Sequence, residues 1–256
     1  MATTLRTKNK KGKARPDGGP ANWVGQPIRR KEEDRLVRGK GIFVDDQKLM
    51  GMLHIRFVRS SYGHAKITRL DVSKAAALPG VVCTLTGAEV KGMVQPFIQI
   101  GPDASQKIAD YPMAVDRVVF QGEPIAAVVA ETRLIAEDAA ELVEVEYEPL
   151  PPVLTAEDAL KDENLVHPAM GTNRNWHGVF EYGDVEKAFK QAAHVVHIGR
   201  LHFHRFSSTP LENNAVIAVW DPRSERVEYW SNNSFPAFAA QFLSPALGVG
   251  YYDLQI

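Results

Sequence analysis

The sequence predicts a mixed α/β (α+β) fold, and three observations carry that prediction. An almost unbroken apolar run, "IAAVVAET" (residues 125–132), leads directly into a helical pattern and then an alternating strand, "VEVEY" (143–147). Short strand-like runs with turn residues between them fill the chain on either side. Apolar spacing switches repeatedly between periods of 2 and 3.6.

From the N-terminal end, residues 1–23 are rich in Lys, Gly and Pro with almost nothing apolar to bury, which predicts a disordered basic arm. Across residues 1–40, about a dozen Lys and Arg stand against roughly four acids. Contact with an acidic partner subunit is the sharper reading of that arm and a solubilising tail the plainer one. "GIFVDD" (41–46) and "MLHIRFVRS" (52–60) read as strands separated by "QKLMG", and "AKITRLDV" (65–72) as a third after the turn "SSYGH". "SKAAALPG" (73–80) is a short helix stopped by Pro79 and Gly80. Cys83, within the strand-like "PGVVCTLTG", is expected to be a small buried hydrophobe. Residues 92–112 keep no period and contain Pro96, Pro102 and Pro112, the pattern of a long irregular excursion.

After strand "RVVF" (117–120) and turn "QGEP" comes the central unit. In its helix Ile135, Ala139, Leu142 and Val143 share one face, while Glu137, Asp138 and Glu141 lie opposite. A continuous apolar strand followed by such a helix argues for a sheet that the helix covers. "EPLPPVLTAEDAL" (148–160) reads as a domain exit. "GDVEKAFKQAA" is a helix capped by Asp184 with Val185, Phe189 and Ala192 inward. A long strand (194–206), a hairpin "AVIAVW"–"DPRSER"–"VEYWS" and a helix opening at Pro236 complete a second α+β region. The last residues, "GVGYYDLQI", read as a strand that has just begun.

Composition removes several function classes. With 256 residues and a net charge of −1, the chain has no overall field favouring nucleic acid or membrane. No apolar run reaches signal or spanning length, so a cytoplasmic protein without a membrane span is expected. One cysteine excludes an internal disulfide and any iron–sulfur cluster or cysteine-rich zinc site held by this chain alone. Phosphate-binding glycine loops and nucleophile elbows are absent. His194, His197, His202 and His204 invite a metal reading, yet His194 and His197 fall on opposite faces of a strand and no acid completes a set, so no metal ligand is assigned.

Two polar clusters remain. In "TPLENN" (209–214), Glu212 stands at the mouth of an apolar strand, where a carboxylate is either solvated or bound to specific donors. In "WSNNSFP" (230–236), Ser234 or Asn233 can cap the helix that Pro236 opens, and a helix N-terminus also offers free amides to anionic ligands.

The stretches "GQPIRRKEEDRLVRGKGIFVDD", "GMLHIRFVRSSYGHAKITRLDVSKAAALPGVVCTLTGAEV", "DRVVFQGEPIAAVVAETRLIAEDAAELVEVEYEPLPPVLTAEDAL" and "GDVEKAF", in this order, closely resemble the N-terminal part of a known large subunit. It is the molybdenum-bearing subunit of the xanthine dehydrogenase, aldehyde oxidoreductase and carbon monoxide dehydrogenase family. The resemblance implies a hammerhead α/β domain within 24–155, its body from about residue 36, docking against an iron–sulfur subunit. It implies the first part of a molybdopterin-binding domain at 165–256. Such enzymes bind a molybdenum–molybdopterin cofactor and either insert water-derived oxygen into a C–H bond of an aldehyde or N-heterocycle or oxidise CO. Electrons leave through 2Fe-2S clusters to FAD on partner subunits or domains.

By the same resemblance, "TPLENN" stands where the family has a P-M/L-E strand start, which puts Glu212 on the substrate side of the pocket together with Asn232 and Phe235. "WSNNSFP" aligns with the family's W-S-S-T-Q-x-P, whose glutamine hydrogen-bonds an oxygen ligand on molybdenum. An ungapped match puts Ser234 at that position, and a one-residue slip puts Asn233 there. Serine is shorter and reaches such a ligand only through water. The family's "GGGFG" segment and its general-base glutamate are not in this sequence. The expectation is therefore an N-terminal subunit or fragment with no catalytic residue of its own, which shares the cofactor with a C-terminal companion chain and is inactive alone. The alternative is a non-catalytic assembly or docking module of such a complex.

Overall fold

The computed structural model describes residue 24 and residues 27–98, 107–204 and 206–256, and the chain divides into two units between Asp46 and Gln47. The expected disordered arm, apart from its neighbour Val24, lies outside the described residues.

In the first unit, α1 (Glu33–Val37) is closed by an Asp34–Arg38 ion pair at i,i+4. The strand expected at 41–46 is not formed. Val44–Asp46 is instead a 3₁₀ turn, in which the Asp46 carboxylate accepts the Phe43 N–H at 3.0 Å. A short acidic side chain that bonds nearby backbone competes with a sheet ladder for the same groups.

The second unit runs β1 (His54–Arg59), β2 (Ala65–Asp71), α2 (Ser73–Ala76), β3 (Val81–Thr86), α3 (Gly87–Met93), β4 (Arg117–Val118), β5 (Pro124–Ala130), α4 (Arg133–Glu141), β6 (Glu144–Pro149) and α5 (Ala156–Ala159). It continues with α6 (Val185–Gln191), β7 (Val216–Asp221), β8 (Arg226–Ser231), α7 (Pro236–Leu247) and β9 (Leu254–Gln255). Among the described residues these strands form three three-stranded sheets, ordered β1-β5-β3, β4-β2-β6 and β7-β8-β9.

Strand β5 is the centre of the first sheet, antiparallel to both neighbours. Ile125 and Val128 are both fully buried, and their odd spacing sends them to opposite faces. Val128 packs with Ala75 and Ala139 under α4, whereas Ile125 packs with Ala65 and Val118 of the second sheet and with Ala114 just ahead of β4. Burial on both faces is the physical reason for the unbroken apolar run. As expected, α4 covers the sheet, with Thr132 accepting the Ile135 N–H as its cap. Its contact stripe is centred on Ala136 and Ala139, however, and Leu142 is exposed. Alanines let the helix approach Val128 closely, which Leu142 at the C-cap does not require.

Further expectations are corrected. Cys83 is exposed, because β3 is an edge strand whose register shifts between Val81 and Cys83. Asp184 caps α6 by accepting the Lys187 N–H at 2.9 Å, as expected, but Val185, Phe189 and Ala192 are exposed instead of inward. The strand expected at 194–206 is not formed among the described residues: 194–204 is irregular and exposed, with a bend at Gly199, where the missing side chain lets the backbone turn. The irregular excursion is pinned at its base by Phe97 N donating to the Asp110 carbonyl at 2.8 Å.

Candidate functional site

The site is built on the β7–β8 hairpin. Its turn is organised by Asp221, whose carboxylate accepts the Arg223 N–H and the Ser224 hydroxyl. Val216 pairs with Ser231, so the residues just before β7 and just after β8 leave the hairpin side by side. The two polar clusters, distant in sequence, therefore meet. Asn232 Nδ2 donates to the Asn213 carbonyl at 2.8 Å and ties them together.

Local turn chemistry sets the rest. Asn233 N donates to Ser231 Oγ at 3.3 Å, and Asn233 Oδ1 accepts the Phe235 N–H at 2.8 Å, an Asx-type turn. Phe235, not Ser234 or Asn233, occupies the N-cap position of α7, with Pro236 at the first helical position. Asn233 thus reaches the chain just ahead of the helix, and its amide nitrogen stays available as a donor. The first intrahelical bond of α7 is Ala239 N to Phe235 O, which leaves the Ala237 and Phe238 amides unused by the helix. Glu212 is half-buried at the same end of the hairpin, between the two readings its position allowed. Leu211 (98% exposed) and Phe235 (72%) are the exposed apolar side chains of the two clusters. From Pro236 an open groove of about 490 Å³ runs along α7 past Ala237 and Ala240, bounded by Tyr251 and Leu254 with Arg226 at its edge.

This end of the hairpin can donate hydrogen bonds and supply a shaped wall. It offers no metal ligand set, and among the described residues no group of three or more His, Cys, Asp or Glu is arranged to hold an ion. His202 and His204 share a face, with ring centroids 4.6 Å apart and both rings exposed.

One constellation escaped the sequence reading. His64 is 6% exposed, its Nδ1 lies 2.9 Å from the Pro151 carbonyl, and its backbone carbonyl accepts the Leu150 N–H. The carbonyl can only accept, so Nδ1 carries a proton, and Nε2 is buried with no partner among the described residues. Half-buried His167 lies near enough to feel it. Burial pushes the His167 imidazole below its ordinary range, Asp110 opposes the shift, and Arg117 and His64 add to it. Glu123 in the "QGEP" turn is held up by burial, although it accepts the Val119 N–H at 2.6 Å. The only sequence signal for His64 was a histidine ending a turn, which does not reveal a partner at position 151.

Comparison with known proteins agrees with this architecture. Residues 38–151 match the aldehyde oxidase and xanthine dehydrogenase a/b hammerhead domain, and residues 166–256 the molybdopterin cofactor-binding domain. The 6-hydroxypseudooxynicotine dehydrogenase complex subunit gamma of Paenarthrobacter nicotinovorans is 36% identical over 219 residues, 84% of this chain and 27% of that protein. The carbon monoxide dehydrogenase large chain of Afipia carboxidovorans is 34% identical over 247 residues, 91% of this chain and 30% of that one. Among solved structures, quinoline 2-oxidoreductase from Pseudomonas putida 86 superposes with a TM-score of 0.79 at 30% identity, over 89% of this chain and 29% of its own. Reconstituted CO dehydrogenase from Oligotropha carboxidovorans gives 0.74 at 33% identity, over 90% of this chain and 30% of its own. The chain spans less than a third of the length of these relatives. Among the described residues no helix is long and apolar enough to cross a membrane. With a hammerhead match followed by a molybdopterin-binding match, this chain belongs to the aldehyde oxidase and xanthine dehydrogenase family and corresponds to the N-terminal portion of its molybdenum-binding large subunit.

Proposed function

We propose that this chain is the N-terminal part of a molybdenum hydroxylase, contributing a hammerhead domain within 24–155 and, over 165–256, one wall of a cofactor and substrate cavity. The observation that carries the reading is the Asn232–Asn213 hydrogen bond, which joins both polar clusters at the start of α7 inside the molybdopterin-binding match. A molybdenum–molybdopterin group presents anionic and oxygen acceptors, and this end of the hairpin presents donors: Asn233 Nδ2, the Ser234 hydroxyl and the first α7 amides. That donor set fits one side of such a group. When bound, the cofactor supplies Lewis acidity and a two-electron sink for hydroxylation of a C–H bond with oxygen from water.

This chain's own residues do the positioning. Asn233 and Ser234 hold the cofactor edge; Glu212, Asn232 and Phe235 shape the substrate side. The remaining cofactor contacts and the general base belong to a C-terminal companion, and electrons pass to iron–sulfur and FAD centres on partner subunits. The basic N-terminal arm suits contact with an acidic subunit of that assembly.

A second reading, a non-catalytic docking module, has one observation in its favour: the shorter Ser234 stands where the resemblance expects glutamine. Isolation of the native complex separates the two. The enzyme reading expects molybdenum, iron and flavin together, with Glu212→Ala lowering turnover on the order of 10- to 100-fold and leaving assembly intact. A complex without molybdenum supports the module, and unchanged turnover returns Glu212 to a solvated role.

A further inference from the structure

Helix α7 starts at the polar end of the hairpin, and its other end is completed from outside the helix. A helix leaves its last four carbonyls without intrahelical donors. The Ser244 carbonyl accepts the Val249 N–H at 3.1 Å and the Pro245 carbonyl the Gly248 N–H at 3.3 Å, a Schellman closure around Gly248, whose φ is +69°. The Ala246 carbonyl belongs to a residue only 4% exposed, and its donor is the Gln95 N–H at 2.8 Å. Gln95 lies in the hammerhead match and Ala246 in the molybdopterin-binding match. The last turn of α7 holds no basic side chain that could bond this carbonyl instead.

We infer that Gln95 is a positioning residue for the cofactor wall: its backbone amide fixes where α7 ends, and α7, acting as a rod, fixes where Asn233 and Ser234 stand. The inference rests on the function proposed above. Gln95 is itself firmly held. The helix just before it, α3, opens with the Thr86–Glu89 capping box, lies against the Ala114 backbone at Gly87, and closes with Val94 N donating to the Val90 carbonyl at 3.1 Å. Just after it, Phe97 N donates to the Asp110 carbonyl. Helix α7 has fewer holds of its own, since only Ala240, Ser244 and Ala246 of its twelve residues are buried. Twelve residues span about 18 Å of stiff helix. A shift at Ala246 is therefore carried to Phe235 and to the turn ahead of it, and a misplacement of about 1 Å at a site costs about 100-fold in rate.

The test removes the donor separately from the side chain. Gln95→Pro deletes the N–H, and Val94, at φ −127° and ψ 159°, already has the extended backbone that a following proline requires. Gln95→Ala keeps the N–H and trims only an exposed side chain. In NMR spectra of the isotope-labelled full chain, Gln95→Pro should shift the backbone amides of Ser234, Ala237 and Phe238 and the side-chain amides of Asn232 and Asn233. Ile55 and Val128 should stay in place, and Gln95→Ala should match the unsubstituted chain. Shifts confined to 244–249 would make the bond a local structural contact and overturn the inference, as would equal effects of the two variants. Should Gln95→Pro fail to fold by circular dichroism, Ala246→Leu carries the same test, because a larger side chain at this buried position crowds the helix end against its anchor; silence at 232–238 again overturns the inference. In the native complex, Gln95→Pro should lower kcat about 10- to 100-fold at unchanged molybdenum content, and an unchanged kcat overturns the positioning role. The NMR shifts need no molybdenum. A native complex that lacks the metal therefore refutes the proposed function, while the signals at 232–238 still decide whether Gln95 sets the position of α7.

Discussion

Two glycines of α3 should respond to the same substitution with opposite signs. At Gly87 an added Cβ would meet the Ala114 carbonyl well inside the 3.0 Å that Cβ atoms keep, with the carbonyl carbon 2.6 Å away and the Met113 oxygen 3.2 Å away. The obstacle is backbone, which cannot rotate aside as a side chain would. Relief requires the first turn of α3 or the 113–114 segment to move by about 1 Å, and the second choice disturbs a packed core. Ala114 donates to the Pro124 carbonyl at 2.8 Å and belongs to the cluster with Val118 and Ile125. Weakening that hydrogen bond costs about 1 kcal/mol, and overpacking adds about 1–3 kcal/mol. Gly87→Ala should therefore destabilise the chain by about 3 kcal/mol. At Gly92 nothing lies within 4 Å, so Gly92→Ala should add about 0.5 kcal/mol through helix propensity alone. Urea unfolding followed by far-UV circular dichroism resolves both, since slopes of about 1–3 kcal/mol/M turn the first effect into a midpoint drop of at least about 1 M. Equal signs for the pair, or a Gly87→Ala change within about 0.5 kcal/mol of zero, would refute the close approach.

Because burial lowers the His167 pKa, the unfolded chain takes up its proton first as pH falls, and stability should decline from pH 7 toward 5; His167→Gln should flatten that decline in urea midpoints measured across this range. Thr86 accepts the Glu89 N–H while Glu89 accepts the Thr86 N–H at 2.7 Å, so Thr86→Ala should cost about 1 kcal/mol in the same assay. Asn232→Ala removes the tie to Asn213, and hydrogen exchange should accelerate at the Val216–Ser231 end of the hairpin while the Asp221–Arg226 end is unchanged.

Features governed by short-range chemistry were legible in advance. Pro236 opens α7 because its missing N–H costs nothing at a helix start, and Asp184 caps α6 because its carboxylate reaches an amide three residues on. The β7–β8 hairpin follows from two alternating runs around a turn that Asp221 organises. Where a local preference competed with another, the reading failed: Asp46 bonding Phe43 removed a strand, and the register shift before Cys83 exposed a residue expected inside. The site was half legible. Glu212, Asn232, Asn233, Ser234 and Phe235 stood out as residues, whereas their meeting at one end of a hairpin is a matter of register.

By itself the sequence determined where helices start, which runs are apolar on both parities, and which polar clusters have no obvious structural duty. Each is a property of neighbours along the chain, settled within a few residues by dihedral preference and hydrogen-bonding reach. Only the tertiary structure decided that β5 and β6, consecutive strands joined by α4, belong to different sheets, and that Ile125 and Val128 face different layers. It alone set His64 against Pro151 and Asn232 against Asn213. Those pairings join residues far apart in sequence. Their free energy comes from the total surface removed from water when the layers close, and no short window of sequence contains it.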